Sequence, residues 1–320
     1  MFFLSTLSGP SGRPGVLPSV LDVYFFSFIY PVFFCSGWKY SAQHFLLSST
    51  PAKRRQAFQV GQATDSLPSQ YSNVSYYLQI IIMDRPTILL IPEKSDTEFE
   101  QVFATWIKNG GQIKRLGKYW IKDEELTKQK IAIYGNQTFA FVLAQIYNVE
   151  LLSPDDTLIA RLGNEWTKRN VELKQINQIS EEDFPVFIKP VIPKIFIADI
   201  FQTIADFKEA TNGLQDTEEI LVASIVDNIQ AEARIFVKDG IVKDIALYEG
   251  AADLASGKEF VSKFISDNKS KLPNVVVVDI AFSEQTGWFI LEFNACWGAG
   301  LNGCNAEKVI DCIIDATINS

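Results

Sequence analysis

Histidine is almost missing from this chain of 320 residues: the single one is His44, so nothing after Met83 carries an imidazole. That absence excludes, over the whole of that body, a Ser-His-Asp or Cys-His nucleophile, a histidine-ligated zinc and an imidazole general base. Chemistry there must rest on carboxylates, lysines, arginines and a bound metal or cofactor. Phosphoryl transfer meets that condition, because it depends on positioning and charge neutralisation more than on a proton-shuttling base. Cysteine is also sparse. Cys35 stands alone, and Cys296, Cys304 and Cys312 are eight residues apart, a spacing that matches no zinc or redox motif and reads as small buried residues in a reducing cytosol.

The first 82 residues contain no glutamate, are rich in serine, proline and aromatics, and stop just before the only internal methionine. Their most apolar run, 24–35, is twelve residues long and interrupted by Pro31, too short to span a bilayer as a helix. Asp22 precedes it and Arg13 is isolated, so the basic flank of a secretory signal is lacking. Residues 1–82 are therefore expected to lie outside the fold, as an upstream translation extension, a targeting segment or a poorly packed arm. They carry a net charge of +3 and the remainder −12. An acidic body argues against a nucleic-acid surface, since phosphate backbones require a basic footprint, and no membrane association is expected for 83–320. Asn73-Val-Ser and Asn136-Gln-Thr match the glycosylation triplet, a pattern short enough to arise by chance.

With 47% hydrophobic residues the chain can bury a sizeable core, in one large domain or two smaller ones. From Met83 onward the pattern is orderly. A strand is predicted at 87–91 and a helix along Phe99, Val102, Phe103, Trp106 and Ile107, stopped by Gly110-Gly111; a second strand at 130–134 precedes a helix through Phe139, Val142, Leu143 and Ile146. Strand, helix, strand, helix predicts a small α/β layer of parallel strands over 83–153. Pro154 is expected to begin a helix containing Arg161, Trp166, Lys168 and Arg169.

Beyond it, 154–320 reads as α+β. Val186 to Lys189 is a strand fenced by prolines, a helix is predicted around Ile200, Ile204 and Phe207, and strands follow at 219–226 and 232–237. Asp239-Gly240 is a hairpin signature, with a returning strand at 241–248. A helix near 260–265 comes next, and Val309, Ile310, Ile313 and Ile314 place a last helix on the core.

Two apolar runs, 275–278 and 288–291, flank a polar turn closed by Gly287, and oxygen-bearing side chains end them: Asp279, Glu292 and Asn294. Alternation along a strand puts Glu292 and Asn294 on one face and Phe289, Leu291 and Phe293 on the other; antiparallel pairing can set Asp279 opposite the first face. Two carboxylates and an amide oxygen so gathered suit a hard divalent cation that bridges to phosphates. The alternative is a solvated, acidic strand end. Charged residues also fall inside apolar strands, where they are costly unless used: Lys189 shares a face with Phe187, and Glu232 and Arg234 with Phe236. A surface-facing strand with a salt bridge would also produce that pattern.

The order of these features resembles the ATP-grasp superfamily, and within it the clade named for two arginines and a lysine. It runs Lys189 on a Phe-Pro-Val-Phe-Ile-Lys-Pro strand, an apolar linker strand, Glu-x-Arg before a hairpin, then Asp and Glu-x-Asn on a closing hairpin. The resemblance covers about 83–318 and is strongest at 184–190, 232–237 and 275–300. It implies two α+β subdomains enclosing a nucleotide cleft, and a cytoplasmic enzyme that uses ATP and Mg2+ to activate a small-molecule or peptide carboxylate as an acylphosphate for attack by an amine. A nucleotide-binding module without turnover and an ATP-dependent phosphotransferase are the alternatives. Carried over, Lys189 contacts the phosphates, with Lys168 or Arg169 a further cation beside them. The backbone of Ala223, Ser224, Ile225 and Val226 meets adenine, Glu232 the ribose, and Arg234 the phosphate or acylphosphate. Asp279, Glu292 and Asn294 are the implied magnesium ligands. One departure stands out: 189–212 contains no glycine, so the glycine-rich phosphate loop of many members is replaced, by Lys194 or the turn at Pro193, or lacking. The glycine-rich stretch 297–303 could present amides to an anion or be a turn before a helix. Arg115 and Arg161 could bind a carboxylate or face water.

Overall fold

A computed structural model describes residues 86–94 and 96–319. The segment 1–82, with its apolar run, His44, Cys35 and Asn73, lies outside the described residues.

The first layer holds β1 (Ile88–Pro92), α1 (Thr97–Lys108), β2 (Gln112–Leu116), β3 (Ile131–Ile133), α2 (Gln137–Tyr147) and β4 (Val149–Leu151). β1 runs parallel to both β2 and β3, in the order β2-β1-β3. The α1 start follows from Asp96, whose carboxylate accepts from the Phe99 amide at 3.0 Å, and Asn136 caps α2 in the same way. β2 escaped the sequence pattern because Gln112-Ile-Lys-Arg-Leu is half polar, as an edge strand is free to be.

Next come α3 (Asn164–Thr167), β5 (Val171–Gln175), β6 (Val186–Pro190), β7 (Asp199–Phe201), α4 (Ile204–Ala210) and β8 (Glu219–Ala223). These four strands form an antiparallel sheet in the order β5-β8-β6-β7. The helix expected from Pro154 is instead a short 3₁₀ turn, Leu158–Arg161, and the four-residue α3, separated by Gly163 in extended conformation. Ile200 belongs to β7 rather than to a helix. α4 starts only after Thr203, which forms a reciprocal capping box with Asp206.

The remaining elements are β9 (Ala231–Lys238), β10 (Ile241–Gly250), α5 (Leu254–Asn268), β11 (Val275–Ser283), β12 (Gly287–Asn294), α6 (Ala306–Ile314) and β13 (Thr317–Asn319). The sheet order is β10-β9-β11-β12, antiparallel throughout. At the β9–β10 hairpin Asp239 and Gly240 both take positive φ, 54° and 79°, which the tight turn requires.

One face of this last sheet, carrying Ala233, Ile235, Val278, Ile280 and Ile290, packs on α5 through Val261, Phe264 and Ile265. The other face is apolar only at one end, where Phe236, Val275 and Val277 join the core of the first layer together with α6. The chain end returns to that layer, and β13 pairs antiparallel with β4. Cys296, Cys304 and Cys312 are buried free thiols, and burial pushes the Cys304 and Cys312 thiols up to about 12. Among the described residues no helix is long and apolar enough to cross a membrane.

Candidate active site

The polar half of the β9–β11–β12 face gathers the charged residues singled out above. Register places Arg234 opposite Asp279 across β9 and β11, and Asp279 opposite Glu292 across β11 and β12. Arg234 grips Asp279 with a two-pronged pair, Nε to Oδ1 at 2.9 Å and an Nη to Oδ2 at 2.7 Å. Its remaining Nη donates to the Gly300 carbonyl at 3.0 Å. The Asn294 amide donates to Asp279 Oδ2 at 3.1 Å and to Glu292 Oε1 at 3.0 Å. Three oxygen-bearing side chains from two adjacent strands thus share one spot.

A bulge makes this possible. Regular alternation would put Glu292 on the same face as Ile290, in the α5 core. The register shifts between Asp279 and Ile280, so that β12 has one extra residue, Leu291. Past the bulge Glu292 and Asn294 face Asp279. Before it, Phe289 lies opposite Ala281 on that same face, while Trp288, Ile290 and Phe293 go to the α5 core. The expectation that Phe289 lines the opposite face fails for that reason.

Lys189 comes from the other sheet. Its Nζ donates to Glu292 Oε2 at 2.6 Å, with about two-fifths of its side chain open to solvent. This pair joins the two antiparallel sheets across a cleft. Glu232, one step along β9 from the cluster, accepts from the Tyr248 hydroxyl at 2.6 Å, and Arg234 lies over the Tyr248 ring at 5.9 Å. Asp156 lies within electrostatic reach of Lys189.

Burial and pairing pull these groups in opposite directions. Burial pushes the Glu232 carboxyl up, against the Tyr248 hydrogen bond and with help from Glu249, Asp279 and Glu292. For Glu292 burial is outweighed by the Lys189 charge and hydrogen bond and by the Asn294 donor, and its carboxyl is held below the usual range. Burial opposes the Arg234 charge, yet the hydrogen bonds and charge of Asp279 overcome it. Two short bonds in fork geometry are those of an ionised pair.

Arg169 is the cation that sequence reasoning left undecided. Its guanidinium donates to the carbonyls of Thr167 (3.2 Å), Ile290 (3.1 Å) and Leu291 (3.3 Å) and sits 5.1 Å from the Phe289 ring centre; burial lowers it to about 10. Lys168, the other choice, is exposed and ends α3 in the left-handed conformation, outside this network. Ala223 ends β8 beside Phe187 of β6, and the Ser224 amide donates to the Asn170 carbonyl at 3.0 Å. Ile225 and Val226 follow in irregular chain, half-buried, between the two sheets.

The stretch 297–303 is anchored by its carbonyls, which accept from Gly135 N, Tyr134 Oη and Arg234, and the amides of Gly298 and Ala299 both donate to Ala295 O. Those two amides are engaged locally and do not face an anion. Arg115 and Arg161 form ion pairs with Glu100 and Asp155. The glycine-free segment after Lys189 leaves Ile192 and Ile197 exposed, the latter at 83%. Tyr248, Asp156 and the bulge-bound role of Arg169 left no sequence signal, because each depends on which strand lies alongside.

Residues 166–312 match a family model described as an ATP-grasp domain, family 2 of the clade named for two arginines and a lysine. Among solved structures, a D-cycloserine synthetase superposes with a TM-score of 0.50 at 10% identity, over 71% of this chain and 99% of that one. The D-alanine–D-alanine ligase of Bacillus anthracis complexed with ATP gives 0.47 at 15% identity, over 73% and 97%. An L-amino acid ligase from Bacillus licheniformis gives 0.47 at 11% identity, over 74% and 76%. Likeness at these identities is one of fold. A search of curated proteins returned no match.

Proposed function

This chain carries an ATP-grasp domain of the two-arginine-and-lysine clade over residues 166–312, and from that premise we propose that it is an ATP- and magnesium-dependent carboxylate–amine ligase. The observation that carries the reading is the convergence of Lys189 from one sheet on Asp279, Glu292 and Asn294 of the other.

The donor set suits a hard divalent ion. Asp279 and Glu292 supply carboxylate oxygens, and turning the Asn294 amide by half a revolution exchanges its NH2 for its oxygen without moving the backbone. Asp279 keeps lone pairs beyond those that Arg234 and Asn294 occupy. When bound, Mg2+ would neutralise the bridging phosphate oxygens. Lys189, freed from Glu292 as that carboxylate turns to the metal, places an ammonium beside the phosphates. Arg234, fixed by Asp279, keeps a guanidinium edge where charge develops on the transferred phosphoryl group. Glu232 accepts from the ribose hydroxyls, and the chain at 223–226 meets the adenine edge. In the reaction a substrate carboxylate oxygen attacks the γ-phosphorus and ADP departs. An amine then attacks the acyl carbon and phosphate departs.

The test is ADP release by the full-length protein, with ATP and Mg2+, across a panel of carboxylates and amines. Titration calorimetry showing no binding of ATP with Mg2+ would remove the proposal. A second reading, nucleotide binding without turnover, is favoured by the glycine-free segment after Lys189; binding without ADP release for any pair in the panel would select it. A product bearing a phosphoryl group instead of a new amide would select the phosphotransferase.

A further inference from the structure

We propose that Arg169 is a positioning residue: it holds the Leu291 bulge and so sets Glu292 and Asn294 opposite Asp279. Only the identity of the metal rests on the ligase reading. The geometry around the bulge is independent of it.

In a regular strand consecutive carbonyls point in opposite directions, so one side chain cannot hydrogen-bond to two in a row. Arg169 does so, with different terminal nitrogens on the carbonyls of Ile290 and Leu291. It can because the register shift at this point turns the chain. β12 is also the sheet edge, where carbonyls freed by a bulge have no neighbouring strand to pair with. The guanidinium supplies those donors while its plane lies by the Phe289 ring and a third bond anchors it to Thr167. Every hydrogen-bond acceptor of Arg169 among the described residues is a backbone carbonyl. None of them is a carboxylate that would neutralise it, so its burial is a cost offset by these carbonyl dipoles. A lysine could not replace it: an ammonium is a point donor without the fork that spans two carbonyls.

The consequence is that Arg169 acts on the metal ligands through the backbone of the residues just before them. The test uses the full-length protein and its Arg169→Lys and Arg169→Met variants. Mn2+ binding in the presence of ATP is read by water-proton relaxation, and backbone amide exchange at 290–294 is compared with that of β9 and β11. Both variants should weaken Mn2+ by about 10- to 100-fold, the range for residues that support ligands from behind. Exchange should quicken at 290–294 and stay unchanged on β9 and β11, while metal-free ATP binding stays within about twofold. An Arg169→Lys protein with parental Mn2+ affinity and parental exchange would overturn the inference. So would an Arg169→Met protein whose exchange quickens equally on all strands, since that is general loss of support. If the parent itself binds no Mn2+ with ATP, the ligase reading falls, and local quickening at 290–294 still decides whether Arg169 holds the bulge.

Discussion

The Arg234–Asp279 pair offers the most quantitative test. Asp279 is 1% exposed and the Arg234 side chain 11%, so neither charge has water to fall back on. Asp279→Asn keeps the shape and removes the charge, leaving the guanidinium buried against a neutral amide. Removing one partner of a buried pair costs about 3–5 kcal/mol, because the survivor remains desolvated and uncompensated. For a folded unit of this size each kcal/mol corresponds to about 2–4 °C, so the melting temperature should fall by about 6–20 °C. Urea unfolding followed by tryptophan fluorescence measures the difference directly. The control is Lys189→Met: that pair leaves 39% and 36% of its side chains open, and exposed pairs contribute at most about 1 kcal/mol. Replacing both members of the buried pair, Arg234→Met with Asp279→Leu, should recover at least about half of the loss, since no lone charge is left. An Asp279→Asn protein within about 1 kcal/mol of the parent would refute the account of this site as an ionised, buried fork.

Lys189→Met and Glu292→Gln should each lower ADP release by at least about 10²-fold, the scale of losing one charge-stabilising contact, with melting temperatures near the parent's; retained turnover in both would take these residues out of the site. Burial raises the Glu232 carboxyl above its ordinary 4.5, so its contribution to stability is fully present below 4.5 and is lost as pH rises through the folded value. Glu232→Gln should therefore gain stability relative to the parent on going from pH 4.5 to 7, and parallel unfolding curves across that window would contradict the assignment. Gly250 has φ 66°, and an added Cβ would overlap the Gln230 carbonyl oxygen. Gly250→Ala should accordingly lose about 1–3 kcal/mol through strained backbone, and a midpoint in urea equal to the parent's would show that β10 can shift to make room.

Charge and polarity embedded in apolar strands made Lys189, Glu232, Arg234, Asp279, Glu292 and Asn294 legible as a set, because burying such groups without use is expensive. Turn chemistry was equally readable: Asp239-Gly240 forms its hairpin as its φ preferences demand. What escaped was local structure decided by neighbours. β2 is a strand because β1 offers it a parallel edge, although Lys114 and Arg115 hide the pattern. The 158–167 segment breaks at Gly163 in place of one longer helix, and Ile200 pairs with Phe187 of β6 before α4 can begin.

By itself the sequence determined which residues are costly to bury, where turns must fall and that no imidazole chemistry operates after Met83, since these follow from side-chain identity and backbone preference alone. Tertiary structure decided the face on which Glu292 and Asn294 emerge, the sheet from which their cation arrives and the cation that holds the bulge. Period-two alternation is a rule for an unbroken strand, and one extra residue inverts it. Whether that residue bulges depends on the strand and the guanidinium lying beside it.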